Sequence, residues 1–161
     1  MIFARNYNSY ELEKLDINGN LIENYGTIGK VGFFEVYNDC IYYLDESLLY
    51  KIDIATKNKQ LINNNSSYKL NPVIYNNNLF YNTRKQFIVN RNTNMSIGGF
   101  GDLCSISLES GELNKISTLS LCYLINIYND IIYCREFIIG GNLGEFQINI
   151  DGTEGKSVKL F

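Results

Sequence analysis

The stretch VYNDCIYYLDESLLYKIDI, residues 36–54, returns twice in shortened form, as IYNNNLFYN at 74–82 and IYNDIIYC at 127–134. In each copy a tripeptide (Tyr37-Asn38-Asp39, Tyr75-Asn76-Asn77, Tyr128-Asn129-Asp130) separates two apolar runs. Asn and Asp tolerate the left-handed backbone that a two-residue connection demands, so each copy predicts a β-hairpin. A second set of pieces lies downstream: LLYKIDI before ATKN, LCSISL before ESG, and GEFQINI before DGT, each leading into one more short run (KQLI, LNKIS, KSVKL). Upstream, YELEKLDI, NGN and LIENYG supply the same unit once more, with Asn18-Gly19 as its turn.

Spacing decides whether this is repetition. The last apolar residue of each third run is Ile17, Ile54, Leu108 and Ile150, with separations of 37, 54 and 42 residues; the turn tyrosines 37, 75 and 128 are 38 and 53 apart. Both rulers find one long unit, and its excess lies in NTRKQFIVNRNTNMSIGGFG, residues 82–101, an insertion between the second and third strands. Four strands in about forty residues, without helical periodicity, predict an all-β fold of four-stranded antiparallel propeller blades. A barrel or sandwich is the competing architecture. Blade limits of 1–26 (lacking its inner strand), 27–64, 65–119 and 120–161 follow, all in one domain. About four blades leave three outcomes open: an incomplete ring, a tight four-bladed ring, or a piece of a longer chain. Blades are covered on both faces, so inner strands should read as continuous apolar runs, and LCYLINIY at 121–128 is the example.

Composition limits the function. The chain has 161 residues, enough to bury roughly two-thirds of its unfolded surface without a disulfide or a metal. Fourteen basic and 17 acidic residues give a net charge of -3, which offers no footprint for nucleic acid or an anionic membrane. The absence of histidine removes the usual acid/base catalyst at neutral pH and the commonest metal ligand. Neither a secretory leader nor an apolar membrane span is read at the start or elsewhere, so the expectation is a cytoplasmic protein. Cys40, Cys104, Cys122 and Cys134 sit in apolar runs without CxxC spacing and read as free thiols. A turn at Asn129-Asp130 sets Tyr128 opposite Ile131 and hence Ile125 opposite Cys134, leaving Cys122 out of register for a disulfide.

Units such as IYYLDESLLYKIDIATKNKQLI and IIYCREFIIGGNLGEFQINIDGTEGKSVKL resemble blades of the TolB-like and low-density-lipoprotein-receptor-like β-propellers, especially clostridial propeller domains of unknown function. The resemblance spans nearly the whole chain. It implies rings, typically six-bladed, that bind proteins or ligands, and it carries over no catalytic residue. The chain departs in blade number and in lacking the tryptophan of the receptor-type YWTD motif.

Short motifs add no chemistry. Asp39 and Asp130, with Asn77 as their counterpart, are turn residues that satisfy local backbone amides. DINGN at 16–20 lacks the glycine and glutamate of a calcium loop, and GGFG at 98–101 and GGNLG at 140–144 join strands rather than opening a helix. No metal or other cofactor is expected. The ends of the second strands are more suggestive: a column of Arg5, Asp45, Thr83 with Arg84, and Arg135, together with Arg91, Phe100 and Phe137 from the neighbouring linkers. Arginine and aromatic side chains dominate interaction hot spots. The leading expectation is therefore a noncatalytic module that binds another protein or a second copy of itself, through Arg5, Asp45, Arg84, Arg91, Phe100, Arg135 and Phe137. One alternative is a carbohydrate hydrolase or lyase using Asp45, Glu46, Glu136 or Tyr133 on the same face, which needs two carboxylates held around a pocket. Another is a truncated product of a larger propeller gene.

Overall fold

The computed structural model describes residues 1–29, 33–90, 95–117, 122–136, 144–153 and 156–157. Their strands form two compact units, 1–66 and 67–161. In the first, β1 (Ile2–Arg5), β2 (Glu11–Leu15) and β3 (Leu21–Thr27) make a three-stranded sheet, and β4 (Phe34–Tyr37), β5 (Cys40–Asp45), β6 (Leu48–Asp53) and β7 (Lys59–Asn63) a four-stranded one. In the second, β8 (Lys69–Tyr75), β9 (Asn78–Asn90), β10 (Met95–Ser107) and β11 (Leu113–Ser117) form one four-stranded sheet, and β12 (Cys122–Tyr128), β13 (Ile131–Glu136), β14 (Gly144–Asn149) and β15 (Lys156–Ser157) another. Every pairing is antiparallel between sequence neighbours. No helix among the described residues is long and apolar enough to cross a membrane.

The hairpins owe their geometry to the tripeptides. Both central residues of each two-residue turn have positive φ: Asn38 and Asp39 at 46° and 56°, Asn76 and Asn77 at 44° and 58°, Asn129 and Asp130 at 50° and 59°. That pair of left-handed residues matches the twist of the flanking strands. A further bond locks each hairpin to its third strand. The amides of Ile54, Leu108 and Ile150 donate to the carbonyls of Asp39, Asn77 and Asp130 at 3.1, 2.9 and 2.9 Å. The residues just before them, with Asp16 in the first sheet, are Asp53, Ser107 and Asn149. Asp16, Asp53 and Ser107 accept amides of the following turn through their side chains. Those bonds hold the Asp16 and Asp53 carboxyls below the usual carboxylate range, through Asn20 and Thr56 above all.

Each unit has its own core. Leu12, Tyr25, Ile28, Ile41, Tyr43 and Ile52 pack together in the first, joined by Phe3, Phe34, Tyr50 and Ile54. Phe80, Leu103, Leu124, Ile127, Ile132, Cys134 and Ile148 pack together in the second. The strands covered on both faces are central ones of their sheets: Ile41 to Leu44 of β5, Leu79 to Asn82 of β9 and Leu103 to Ile106 of β10 are buried without a break. The expectation of a doubly covered β12 fails, because Ile125 and Tyr128 are exposed. The cause is a bulge between Leu124 and Asn126, where the Asn126 side chain takes the Ile127 amide. The bulge also corrects the register around the cysteines: Tyr128 faces Ile131 as expected, but Leu124, not Ile125, faces Cys134, and Cys122 faces Glu136. Cys40, Cys104 and Cys134 are free thiols.

Candidate functional site

The insertion within 82–101 is not a linker. It continues β9 and β10 as a hairpin whose register runs from Asn78 opposite Ser107 out to Asn90 opposite Met95. The comparable strands β5, β6, β13 and β14 have six residues each, against thirteen in β9 and in β10. The neighbours stop early: β8 last pairs with β9 at Lys69 opposite Thr83, and β11 last pairs with β10 at Ser117 opposite Leu103. Among the described residues no third strand pairs with the hairpin from Arg84 to Asn90, which makes a two-stranded arm of roughly 20 Å at ~3.3 Å per residue. A register shift between Phe100 and Leu103 marks its root. There Asp102 is pinned by the Lys115 ammonium of β11 at 2.8 Å.

Just inside the root lies a buried polar group that sequence reading did not single out. Lys69 is only 6% exposed; its Nζ donates to the Ser67 carbonyl at 3.3 Å and lies 5.4 Å from the centre of the Tyr81 ring. Burial pushes the ammonium pKa down to about 8. Cys104 stands opposite Tyr81 in the ladder, and burial pushes its thiol upward. Beside it, the fully buried Asn82 accepts the Leu124 amide at 2.7 Å through Oδ1, tying β9 to β12. At the opposite ends of these strands, Asn76 Nδ2 donates to Asp130 Oδ1 at 3.2 Å, and the Asp130 amide donates to the Tyr75 hydroxyl at 3.2 Å. The two sheets of the second unit are thus tied at both ends of their strands.

The expected column divides when it is counted by register. Arg5, Leu44, Asn82 and Arg135 oppose Leu12, Leu49, Leu103 and Glu145 and form one equivalent row, whereas Asp45 and Thr83 stand one residue further along. Both arginines of the row have local partners. The Arg5 guanidinium lies 5.0 and 5.8 Å from the ring centres of Tyr7 and Tyr10. Arg135 makes a 2.8 Å ion pair with Glu145 across the ladder. The Asp45 carboxylate fills the space beside Gly29, whose φ is +80°. Arg84 is exposed, 5.7 Å from the ring centre of the exposed Tyr68. Phe100 is placed by the backbone alone, opposite Arg84. Arg91 and Phe137 lie outside the described residues. Arg84 and Phe100 are therefore opposite in register at the base of the arm, while Arg5 and Asp45 belong to the other unit. Of the alternative's carboxylates, Asp45 and Glu46 lie in the first unit and Glu136 in the second. Among the described residues no group of three or more cysteines, aspartates or glutamates could hold a metal ion.

Comparison with known proteins supports the architecture. TolB from Acinetobacter baumannii is similar over 96% of this chain and 40% of its own, with a TM-score of 0.59 at 13% identity. The sheets are those of a β-propeller. A candidate dipeptidyl aminopeptidase IV from Bacteroides ovatus is similar over 92% of this chain and 28% of its own, with a TM-score of 0.50 at 10% identity. The chain thus spans less than half the length of either structure. No family model matches it, and no curated protein does.

Proposed function

We propose that this chain is a noncatalytic, TolB-like propeller module that binds another protein through the β9–β10 arm. One observation supports the reading: among the described residues the β9–β10 hairpin runs some seven residues past its neighbours from a sheet anchored on both sides. An isolated two-stranded ribbon is marginal in water and leaves both outer edges unpaired. A partner that pairs with or covers those edges gains main-chain hydrogen bonds, and the propeller sheets supply a frame that fixes the arm's root. Arg84 and Tyr68, exposed at that root, are of the types that anchor interfaces. The arm's sequence adds Lys85, Phe87 and Arg91.

The test removes the arm without touching the sheet. Lys85 and Gly99 face each other in the register, so residues 86–98 can be replaced by an Asn-Gly turn that joins them. Partners are captured from the native host by cross-linking, identified, and titrated against both proteins. The expected result is an unchanged melting temperature and loss of the partner's binding. Equal affinity of the shortened protein for the same partner would end the proposal. Turnover of a polysaccharide by the intact chain would favour the hydrolase alternative.

A further inference from the structure

The last two strands of every sheet are joined by a turn in which a residue of positive φ donates its amide back to the end of the preceding strand. Gly19 donates to the Asp16 carbonyl at 3.2 Å, Lys57 to Asp53 at 2.8 Å, Gly111 to Ser107 at 2.9 Å and Gly152 to Asn149 at 2.8 Å. The residues just before these donors are Asn18, Thr56, Ser110 and Asp151. Only Asn18 and Asp151 carry a side-chain carbonyl carbon that the next amide nitrogen can reach to close a five-membered ring. The two are held differently. Asp151 Oδ1 accepts the Thr153 amide at 2.8 Å and its hydroxyl at 2.6 Å, bonds that keep the carboxyl ionised and so a poor target for a nucleophile. The Ile116 carbonyl closes off the space beside Gly152. Asn18 is exposed and joins the turn through its main-chain amide, 2.7 Å from Asp16 Oδ1, while its side-chain amide is bound to no described residue. Nothing lies within 4 Å of the place a Cβ would take on Gly19. The Gly19 bond is also the longest in its turn, the others being 2.7–2.9 Å.

We propose that Asn18 is a modification site at which the Gly19 nitrogen displaces the side-chain amide, so that the β2–β3 turn deamidates. The Gly19 nitrogen gives its proton to hydroxide and bonds to Asn18 Cγ. The Cγ–Nδ2 bond breaks, and the nitrogen takes up a proton from water and leaves as ammonia. One water then opens the succinimide at either of its carbonyl carbons. The product is aspartate, or isoaspartate with the main chain running through Cβ and Cγ; the sum is amide plus water to acid plus ammonia, and water is the only co-reactant. Asn18 is the one asparagine of the chain that glycine follows, and glycine leaves the attacking nitrogen without a Cβ beside it. The rotation that brings nitrogen to Cγ turns the 18–19 peptide and breaks the 3.2 Å bond, so the reaction follows local opening of the turn. Isoaspartate lengthens the main chain between the amides of residues 18 and 20, both of which Asp16 Oδ1 accepts. It also sets a new carboxylate beside that of Asp16. Both changes loosen the turn that joins β2 to β3.

The test ages the whole folded chain in mildly alkaline water enriched in oxygen-18 and maps it by peptide mass spectrometry, with fragmentation that tells aspartate from isoaspartate. The expected result is conversion at Asn18 at least tenfold faster than at any other asparagine, each product carrying one heavy oxygen, at a rate that rises with pH. The isoaspartate form, separated by chromatography, should lose protection from hydrogen exchange at the Asp16 and Asn20 amides while the amides of β5 and β9 keep theirs. A synthetic peptide of residues 13–23 supplies the rate without the fold. Conversion led by Asn38, Asn76 or Asn129 would overturn the proposal. So would an Asn18 still intact in the folded chain after the peptide has half reacted, because the turn would then protect the residue rather than expose it. Unchanged exchange in the isoaspartate form would overturn the consequence drawn for the hairpin.

Discussion

Replacing Lys69 by methionine should stabilise the protein near neutral pH, by an amount that shrinks as the pH rises. The ammonium is 6% exposed and its pKa is pushed down to about 8 by burial, against ~10.4 in an unfolded chain. Below about pH 8 both states carry the proton, and folding bears the full cost of burying the charge. Between about 8 and 10.4 the unfolded chain holds more protons than the folded one, so this group's contribution to stability rises with pH. The two pKa values give a cost of about 3 kcal/mol at pH ~7 and about 1 kcal/mol at pH ~9.5. The variant loses the contact with the Tyr81 ring and the bond to the Ser67 carbonyl, so its absolute gain is smaller; the change with pH is the cleaner quantity. Urea unfolding of both proteins at the two pH values should show their stability difference moving by about 2 kcal/mol toward the parent as pH rises. Cys104 and Tyr81 titrate nearby, with hydroxyl and thiol both pushed upward, but largely in common to the two proteins. A difference that stays flat across the interval would refute a desolvated ammonium at this position.

Asn82→Leu restores the residue found at the equivalent Leu44, yet it should destabilise by about 1–3 kcal/mol, because the Leu124 amide loses its acceptor; chemical denaturation measures it. Asp39→Gly should stabilise by about 0.5–1 kcal/mol, since φ is 56° there and the Ile54 amide is held by a main-chain carbonyl that the change keeps. A lower melting temperature for this variant would show that the carboxylate has a role beyond the turn. Gly29→Ala adds a Cβ 2.6 Å from the Asp45 carboxyl carbon at a φ of +80°, and should cost about 1–3 kcal/mol. Gly29→Ala combined with Asp45→Ala should recover most of the part that comes from crowding, leaving the backbone term.

What the sequence revealed and what it hid divide along a physical line. Turns were legible because their chemistry is local: Asn38-Asp39 and its two copies need positive φ at consecutive positions, and few residues tolerate that. The strand count of each sheet followed from the same punctuation. The bulge at Ile125 was hidden, since nothing in LINIY distinguishes a residue extruded from the ladder, and the shift of one position carried the Cys134 partner with it. The insertion was located correctly but taken as linker, because Gly98, Gly99 and Gly101 read as flexibility where they serve in a ladder and at its bulge. Counting from each turn to the same depth would have separated Asp45 from Arg5 and Arg135 and brought out Asn82, the polar counterpart of the buried Leu44.

That row shows how the repeat is held together and where it is free to vary. At one depth in four second strands stand Arg5, Leu44, Asn82 and Arg135, facing Leu12, Leu49, Leu103 and Glu145. The position admits an apolar pair, an ion pair across the ladder, or an amide that reaches to the next sheet, as long as the group finds its partner within a strand or two. At the other end of the strands no such latitude exists: the turn carbonyl and the amide it receives are main-chain atoms, and three sheets use them identically. The invariant end is what makes the repeat recognisable in the sequence. The variable end is the one from which the arm extends, and there the sequence between Arg84 and Phe100 can change without disturbing the turns.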